Sequence, residues 1–161
     1  MELAEEITIA APLDKVYEAL NDITILKTCI PGCEELNWTS ENELEAKVTL
    51  KIGPVKAKFG GKVTLDTTHA PTGFSLAGEG DGGLAGFAKG GADVQLIADG
   101  DSTLLKYEAK AQTGGKIAQL GGRLITSTAH KLSKMFFTKF EKIISGEESL
   151  PEKEDAGEIV S

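Results

Sequence analysis

Cysteine is scarce in this chain, with only Cys29 and Cys33 among 161 residues. A small secreted domain that depended on disulfides would need more of them, so the two cysteines fit the reducing cytoplasm better. No third cysteine is present, and the two histidines, His69 and His130, lie far away in the sequence. Because a zinc site needs three or four such ligands, we predict two reduced, non-catalytic thiols and no metal site.

Long apolar runs and a basic leader are also missing. No run approaches the ~18 apolar residues that a helix needs to cross a bilayer. The chain begins with MELAEE, which is acidic where a secretory signal would be basic. We therefore expect a cytoplasmic protein.

Positive charge is in deficit, since 17 Lys and Arg stand against 25 Asp and Glu and give a net charge of −8. A general nucleic-acid binder needs a basic footprint for the phosphates, so we expect no nucleic-acid partner. The exception is the segment 116–144, which carries six Lys or Arg and the single acid Glu141. A solvated helix face is the simplest explanation of that segment.

Hydrophobic periodicity predicts an α+β fold. The opening strand is followed by two short helices, one starting after Pro12 and one over 23–28, and the Pro31-Gly32 turn ends the second. From 34 to 113 apolar and polar residues alternate between turn clusters. This alternation is typical of an antiparallel meander with one buried face.

The last element has the clearest pattern. Apolar residues recur every three or four positions from Lys116 to Ile144, which predicts one long amphipathic helix ending at Gly146. Only this helix is long enough to cover the buried face, so we predict a curved antiparallel sheet of about six to seven strands wrapped round it. The predicted domain spans 1–145, and 146–161 is an acidic, flexible tail.

Small residues on the two facing surfaces predict a cavity between the sheet and the first turns of the helix. Gly78 and Gly80 share a face of one strand, and Gly121-Gly122 fall early in the helix. A bent sheet cannot close down everywhere on a straight helix, although close packing of the two layers is the alternative. An apolar ligand would fit such a cavity, with an opening near Leu84 and Phe87. The predicted ligand-binding residues are Phe59, Phe74, Leu76, Leu84, Phe87, Tyr107, Ala109, Ala111, Leu120, Gly121 and Leu124.

In the glycine-rich run 78–91, residues 78–83 satisfy the spacing of dinucleotide-binding loops. That spacing binds a pyrophosphate only where a strand leads into a helix, whereas this run lies among strands. We interpret it as a hairpin or bulge that forms the lip of the cavity. No arrangement of Ser, His, Asp or Cys typical of a nucleophilic enzyme is recognisable, so no catalytic residue is predicted.

Four strings together carry a family resemblance: IPGC at 30–33, KIGPVKAKFGGKVTL at 51–65, GEGDGGLAGFAKGGADVQL at 78–96 and GGKIAQLGGRLI at 114–125. On these strings the chain resembles the CoxG family, named for the G subunit of carbon monoxide dehydrogenase, in the START-like SRPBCC superfamily. The resemblance implies the helix-grip fold, in which an antiparallel sheet grips a long C-terminal helix around an apolar cavity.

The same resemblance implies a non-catalytic accessory protein without a cofactor of its own. Its partners would be an apolar small molecule, a quinone or a lipid, and a molybdenum hydroxylase of the carbon monoxide dehydrogenase type. It would serve that enzyme in membrane recruitment or in delivery of the electron acceptor.

Membrane contact would be weak, reversible and peripheral, at the inner face of the membrane. We expect it through the basic face of the long helix, with Phe137 exposed among Arg123, Lys131, Lys134 and Lys142. Two alternatives to the accessory role stay open. One is a cyclase- or hydrolase-type enzyme, which would need an inward-pointing ionisable residue, and the other is a docking protein without a ligand.

Overall fold

A computed structural model describes residues 1–150 of the chain. The part of the predicted tail from 151 to 161 lies outside the described residues. In chain order the elements are β1 (Glu2–Ile9), α1 (Leu13–Leu20), α2 (Ile23–Cys29), β2 (Cys33–Ser40), β3 (Glu43–Ile52), β4 (Val55–Asp66), β5 (Gly73–Asp81), β6 (Phe87–Asp99), β7 (Ser102–Gly114) and α3 (Gly122–Ile144). Short 3₁₀ turns, Gly83–Ala85 and Ile117–Leu120, precede β6 and α3.

The seven strands form one antiparallel sheet in the order β1-β7-β6-β5-β4-β3-β2. Each strand from β2 to β7 pairs with its neighbour in sequence, while β1 adds to the free edge of β7. The helix α3 contacts β1 at one edge of this sheet and β3 towards the other. The sheet therefore wraps round α3, and the predicted helix-grip fold with two short helices after the first strand is confirmed.

A row of glycines crosses the middle of the sheet and permits the bend. Gly61 pairs with Gly80, and Gly78 pairs with Gly90. A Cβ atom at Gly90 would lie only 2.0 Å from the carbonyl oxygen of Lys110 on the neighbouring strand. Only glycine allows so close an approach of two backbones, and glycine inside a strand often marks a tight bend.

The buried core of the concave face forms two clusters. The larger one lies where α1 and the C-terminal half of α3 meet β1, β6 and β7. Its buried members are Ile9, Ala11, Val16, Ala19, Cys29, Leu96, Leu105, Tyr107, Phe140 and Ile144. The smaller one lies where the two 3₁₀ turns meet the β3–β4 hairpin, and its buried members are Ile52, Phe59, Ala85 and Ile117.

The long helix begins later than the sequence predicts. Gly121 has a φ of 92°, a left-handed conformation that interrupts the helix, so the residues before it form a separate 3₁₀ turn. The α-helix proper runs over 23 residues from Gly122. The apolar spacing continues across the break because Ile117 and Leu120 still pack against the smaller core cluster.

The orientation of Phe137 also differs from the expectation. Its ring stacks on Tyr107 with ring centroids 6.0 Å apart, and it packs edge-on against Phe136 and Phe140. Phe137 therefore faces the sheet, as part of the shell around the larger core cluster. The basic outer face of α3 has no exposed aromatic at this position, contrary to the prediction.

Candidate functional site

A pocket opens at the N-terminal end of α3, on the side of the molecule where β1 ends and no longer pairs with β7. The pairing of β1 with β7 ends near Ala111, whose N–H donates to the carbonyl of Met1. Beyond that point the edge of β7 faces the first turn of α3 across a space of about 460 Å³, within the range of small-molecule sites. The residues around it are Met1, Phe87, Lys89, Ala111, Gln112, Thr113, Ala118, Gly122 and Ile125.

The concave face between the two core clusters is incompletely packed. Leu76 pairs with Ala92, and Ala111 pairs with Gly90, so their side chains share this face. The side chains of Leu76, Ala92 and Ala111 are only half-buried, and none of them joins either cluster. Part of the apolar surface of this face is therefore exposed, in the region predicted to hold a ligand.

The other predicted lining residues divide between core and margin. Phe59 and Tyr107 are buried members of the two clusters, and Ala109 and Leu120 pack against them. The Phe74 ring packs edge-on against Tyr17 of α1, with ring centroids 5.9 Å apart.

Gly121 and Leu124, at the start of α3, border open space. Leu124 lies beside the β3–β4 hairpin, where its side chain approaches Gly53. Gly121 has no heavy atom within 4 Å of where its Cβ would be. Gly121 therefore leaves space beside the start of α3, whereas Leu124 contacts the hairpin.

Leu84 and Phe87 do not lie over the concave face. Leu84 projects from the tip of the 3₁₀ turn and is 98% exposed, because the turn directs Ala85 into the core instead. Phe87 begins β6 opposite Gly114, and strand alternation turns Ala88 inward and Phe87 outward. Phe87 still borders the pocket opening, with 47% of its surface exposed.

A second groove of about 550 Å³ runs along α3 where the helix faces β3. Leu124, Leu132 and Met135 contribute its apolar wall, and Lys51 and Lys131 contribute positive charge. Met135 is 48% exposed here, although the helical pattern assigns it to the buried side. Of the two spaces, this groove has less apolar surface from the strands, because Leu50 is the main apolar residue on its sheet side.

A polar cluster lies between β1, β7 and α3, and the sequence reasoning missed it. The Glu5 carboxylate lies 2.5 Å from Nδ1 of His130 and accepts hydrogen bonds from the hydroxyls of Tyr107 and Ser133. Burial, followed by the bond to Glu5, raises the pKa of Tyr107 to about 12. The sequence does show that Glu5 is an acid at an inward-facing position of β1, between the apolar residues Leu3 and Ile7 on the same face.

The two cysteines are free thiols. Cys29 is buried in the larger core cluster, and burial raises its pKa to about 11. Burial also raises the pKa of Cys33. Since the thiolate is the reactive form, both shifts make the thiols poor nucleophiles near neutral pH.

Residues 1–150 hold neither a cluster of metal ligands nor a membrane-spanning helix. Within that range no group of three or more His, Cys, Asp and Glu side chains has the proximity that a metal ion requires. None of the helices in the same range combines the length and the apolar character of a membrane span.

Comparisons with known proteins give a family and a fold. The family model for the G subunit of carbon monoxide dehydrogenase (CoxG) matches residues 6–145. No curated protein matches the chain.

Solved structures agree with that fold. A conserved protein from Geobacillus kaustophilus superposes with a TM-score of 0.85 at 28% identity, covering 91% of this chain and 96% of that one. A START superfamily protein from Mycobacterium smegmatis superposes with a TM-score of 0.72 at 14% identity, and the match covers 91% of this chain and 99% of that one. The Zhui aromatase/cyclase from a Streptomyces species superposes with a TM-score of 0.67 at 12% identity, and the match covers 90% of this chain and 93% of that one.

Proposed function

The chain belongs to the CoxG family of carbon monoxide dehydrogenase, and on that premise we propose that it is a non-catalytic accessory protein that carries an apolar ligand under α3. The ligand is a quinone or a lipid. The protein serves a molybdenum hydroxylase of the carbon monoxide dehydrogenase type, in membrane recruitment or in delivery of the electron acceptor. The redox cofactors belong to that enzyme.

The observation that carries this proposal is the partly exposed apolar surface of the concave face between the two core clusters. Protein interiors normally reach crystal-like packing density, and a polypeptide that leaves Leu76, Ala92 and Ala111 half-buried forgoes that packing. An apolar ligand that covered these side chains would restore it. The opening beside Ala111 and Thr113 gives such a ligand a way in.

The rim of the opening suits a quinone head group better than a plain hydrocarbon. A quinone has two carbonyl oxygens that accept hydrogen bonds, and Thr113, Gln112 and Lys89 supply donors around the pocket. The apolar tail would then extend along the alanines and glycines of the concave face. A few polar groups at the mouth of an apolar cavity are the usual arrangement of small-molecule sites.

Titration with a short-chain ubiquinone analogue and with oleate, followed by calorimetry, tests this proposal. Ala111→Leu adds three carbons at the pocket and is expected to weaken binding at least about tenfold, because it occupies the ligand's space. Ala77→Leu, the matched control on the exposed opposite face of β5, is expected to bind like the parent. Equal binding by both variants, or no binding by the parent, contradicts the proposal.

A second candidate is an enzyme of the cyclase or hydrolase type, and one observation favours it. Glu5 is an ionisable side chain at an inward position, and His130 lies beside it as a proton partner. Against it, the carboxylate already accepts hydrogen bonds from Tyr107 and Ser133 of the same chain and contacts His130. Mass spectrometry of the ligands after incubation distinguishes the two: an enzyme converts its ligand and Glu5→Gln stops the conversion, whereas a carrier returns the ligand unchanged.

A further inference from the structure

The most exposed large apolar side chain among residues 1–150 lies on a turn that is fixed by contacts with the rest of the protein. Leu84 is 98% exposed, yet the turn that carries it is well anchored. Asp81 accepts a hydrogen bond from the N–H of Gly83 at 2.8 Å, and Ala85 is buried in the smaller core cluster. The Phe59 ring packs directly under Gly82, where a Cβ would lie 2.5 Å from the ring. Leu84 therefore projects into solvent from a turn whose backbone is held by a hydrogen bond and by core packing.

Basic residues are concentrated in the segments that meet at the end of the molecule that carries Leu84. Three segments meet at this end of the molecule: the hairpin 51–56, the loop 81–89 and the connection 114–123. Gly53 lies against Leu124 at the start of α3, and Gly86 lies against Gly114 and Gly115. Together the three segments carry Lys51, Lys56, Lys89, Lys116 and Arg123 but only one acid, Asp81. We call this end, together with Leu84 and Phe87, the lip.

Of the five basic side chains of the lip, only Lys89 faces an acid in the sheet register, Glu79 of β5. None of the five forms a salt bridge with a carboxylate of residues 1–150, so the excess of five basic residues over the single acid Asp81 is not offset by such contacts. Lys51 and Lys56 even face each other as a register pair across the hairpin. Like charges directly opposite each other are unfavourable in a sheet. In a protein with a net charge of −8, so local an excess of positive charge indicates an anionic partner.

We propose that the lip docks on an anionic lipid bilayer, with Leu84 inserted among the acyl chains and the five basic side chains at the headgroups. An apolar tip accompanied by Lys and Arg is the combination that binds interfaces, and anionic headgroups supply the matching charge. Phe87 adds a second apolar contact beside the tip. The surface lies at the lip and not on the outer face of α3, because Phe137 is turned towards the sheet.

This proposal rests on the proposed carrier function for its purpose. Phe87, Lys89 and Gly122 belong to both the lip and the pocket opening. Docking through the lip therefore brings the opening to the membrane surface, and an apolar ligand passes between pocket and bilayer without crossing water. The net negative charge of the rest of the chain opposes attachment, so binding is reversible and falls as salt is raised.

Co-sedimentation of the full chain with vesicles of equimolar phosphatidylcholine and phosphatidylglycerol tests the lip directly. The parent is expected to bind at low salt and to lose binding at high salt and on pure phosphatidylcholine. Leu84→Ser is expected to bind at least about tenfold more weakly, because it removes the inserted side chain. Ile97→Ser is the matched control, since Ile97 is also exposed but lies near the other end of β6.

A charge-reversal pair locates the surface. Lys116→Glu with Arg123→Glu is expected to abolish vesicle binding, whereas Lys134→Glu with Lys142→Glu, on α3 beyond the lip, leaves most of it. The proposal is overturned if the parent does not bind anionic vesicles, if Leu84→Ser binds like Ile97→Ser, or if only the α3 pair matters. Calorimetry with the ubiquinone analogue in detergent-free buffer is independent of the vesicles. Normal ligand binding without vesicle binding rejects the lip alone, and the reverse result rejects the carrier.

Discussion

At the scale of single residues, the contacts of Glu5 decide how the edge strand is held. An ionised carboxylate on an apolar face is costly unless its oxygens are hydrogen-bonded. Here His130 and Ser133 of α3 and Tyr107 of β7 supply the partners, so one carboxylate ties three elements together. The cluster holds β1 against the helix on the side of the concave face opposite the β3–β4 hairpin.

Tyr107 makes this cluster testable by pH. Unfolded tyrosine loses its proton near about pH 10, whereas the folded protein raises the pKa of Tyr107 to about 12. Between those values the folded state binds more protons than the unfolded state, so the contribution of Tyr107 to stability falls as the pH rises. We expect Tyr107→Phe to be about 1–3 kcal/mol less stable at neutral pH, and its deficit to shrink above pH ~10.

Urea unfolding at a series of pH values measures this effect. Tyr17→Phe is the control, because Tyr17 is the only other tyrosine and is not among the hydrogen-bond partners of Glu5. A Tyr107→Phe deficit that stays constant from neutral pH to the alkaline limit would contradict the account.

At the scale of elements, periodicity predicts where strands and helices lie but not where the backbone must deviate. The alternation of β4 and the three-four spacing of α3 each reflect one buried face, so both elements appear in the sequence. The break at Gly121 does not, because Ile117 and Leu120 keep the same apolar spacing in a 3₁₀ turn. β6 also starts at Phe87, inside the glycine-rich run, since Gly90 and Gly91 pair in the sheet without any apolar alternation.

The glycine row gives a prediction for the sheet. Gly90→Ala is expected to destabilise the fold by more than about 2 kcal/mol, because its Cβ has no room beside the backbone of β7. Gly60→Ala is the matched control in β4, where nothing lies within 4 Å of the added atom. Its effect should be within about 1 kcal/mol of zero. Urea denaturation measures both, and equal losses of stability would show that the close approach at Gly90 is unimportant.

At the scale of the whole molecule, the fold was accessible from the sequence and part of the site was not. One amphipathic helix and one single-faced sheet have few ways to bury their apolar faces, and the four strings resembling the CoxG family agree with the helix-grip solution. The exposure of Leu84 and the outward orientation of Phe87 depend on the phase of the 3₁₀ turn, that is, on which of its three residues points into the core. Composition and spacing carry no information on that phase.

The arrangement of charge is the other property that appears only in three dimensions. The sequence concentrates basic residues in 116–144, which suggested the outer face of α3. The fold instead brings the segments that carry Lys51, Lys56 and Lys89 to the same end of the molecule as Lys116 and Arg123. The same end carries the pocket opening and the exposed leucine, so charge, apolar surface and access coincide.

Native mass spectrometry of the protein from its own host, purified without detergent and followed by solvent extraction, tests the carrier account most directly. The account predicts a one-to-one adduct whose mass equals that of an apolar compound recovered in the extract. It also predicts that Ala111→Leu loses the adduct while Ala77→Leu keeps it. A parent protein that shows only the mass of the bare chain, with an extract identical to that of the buffer, would contradict the account.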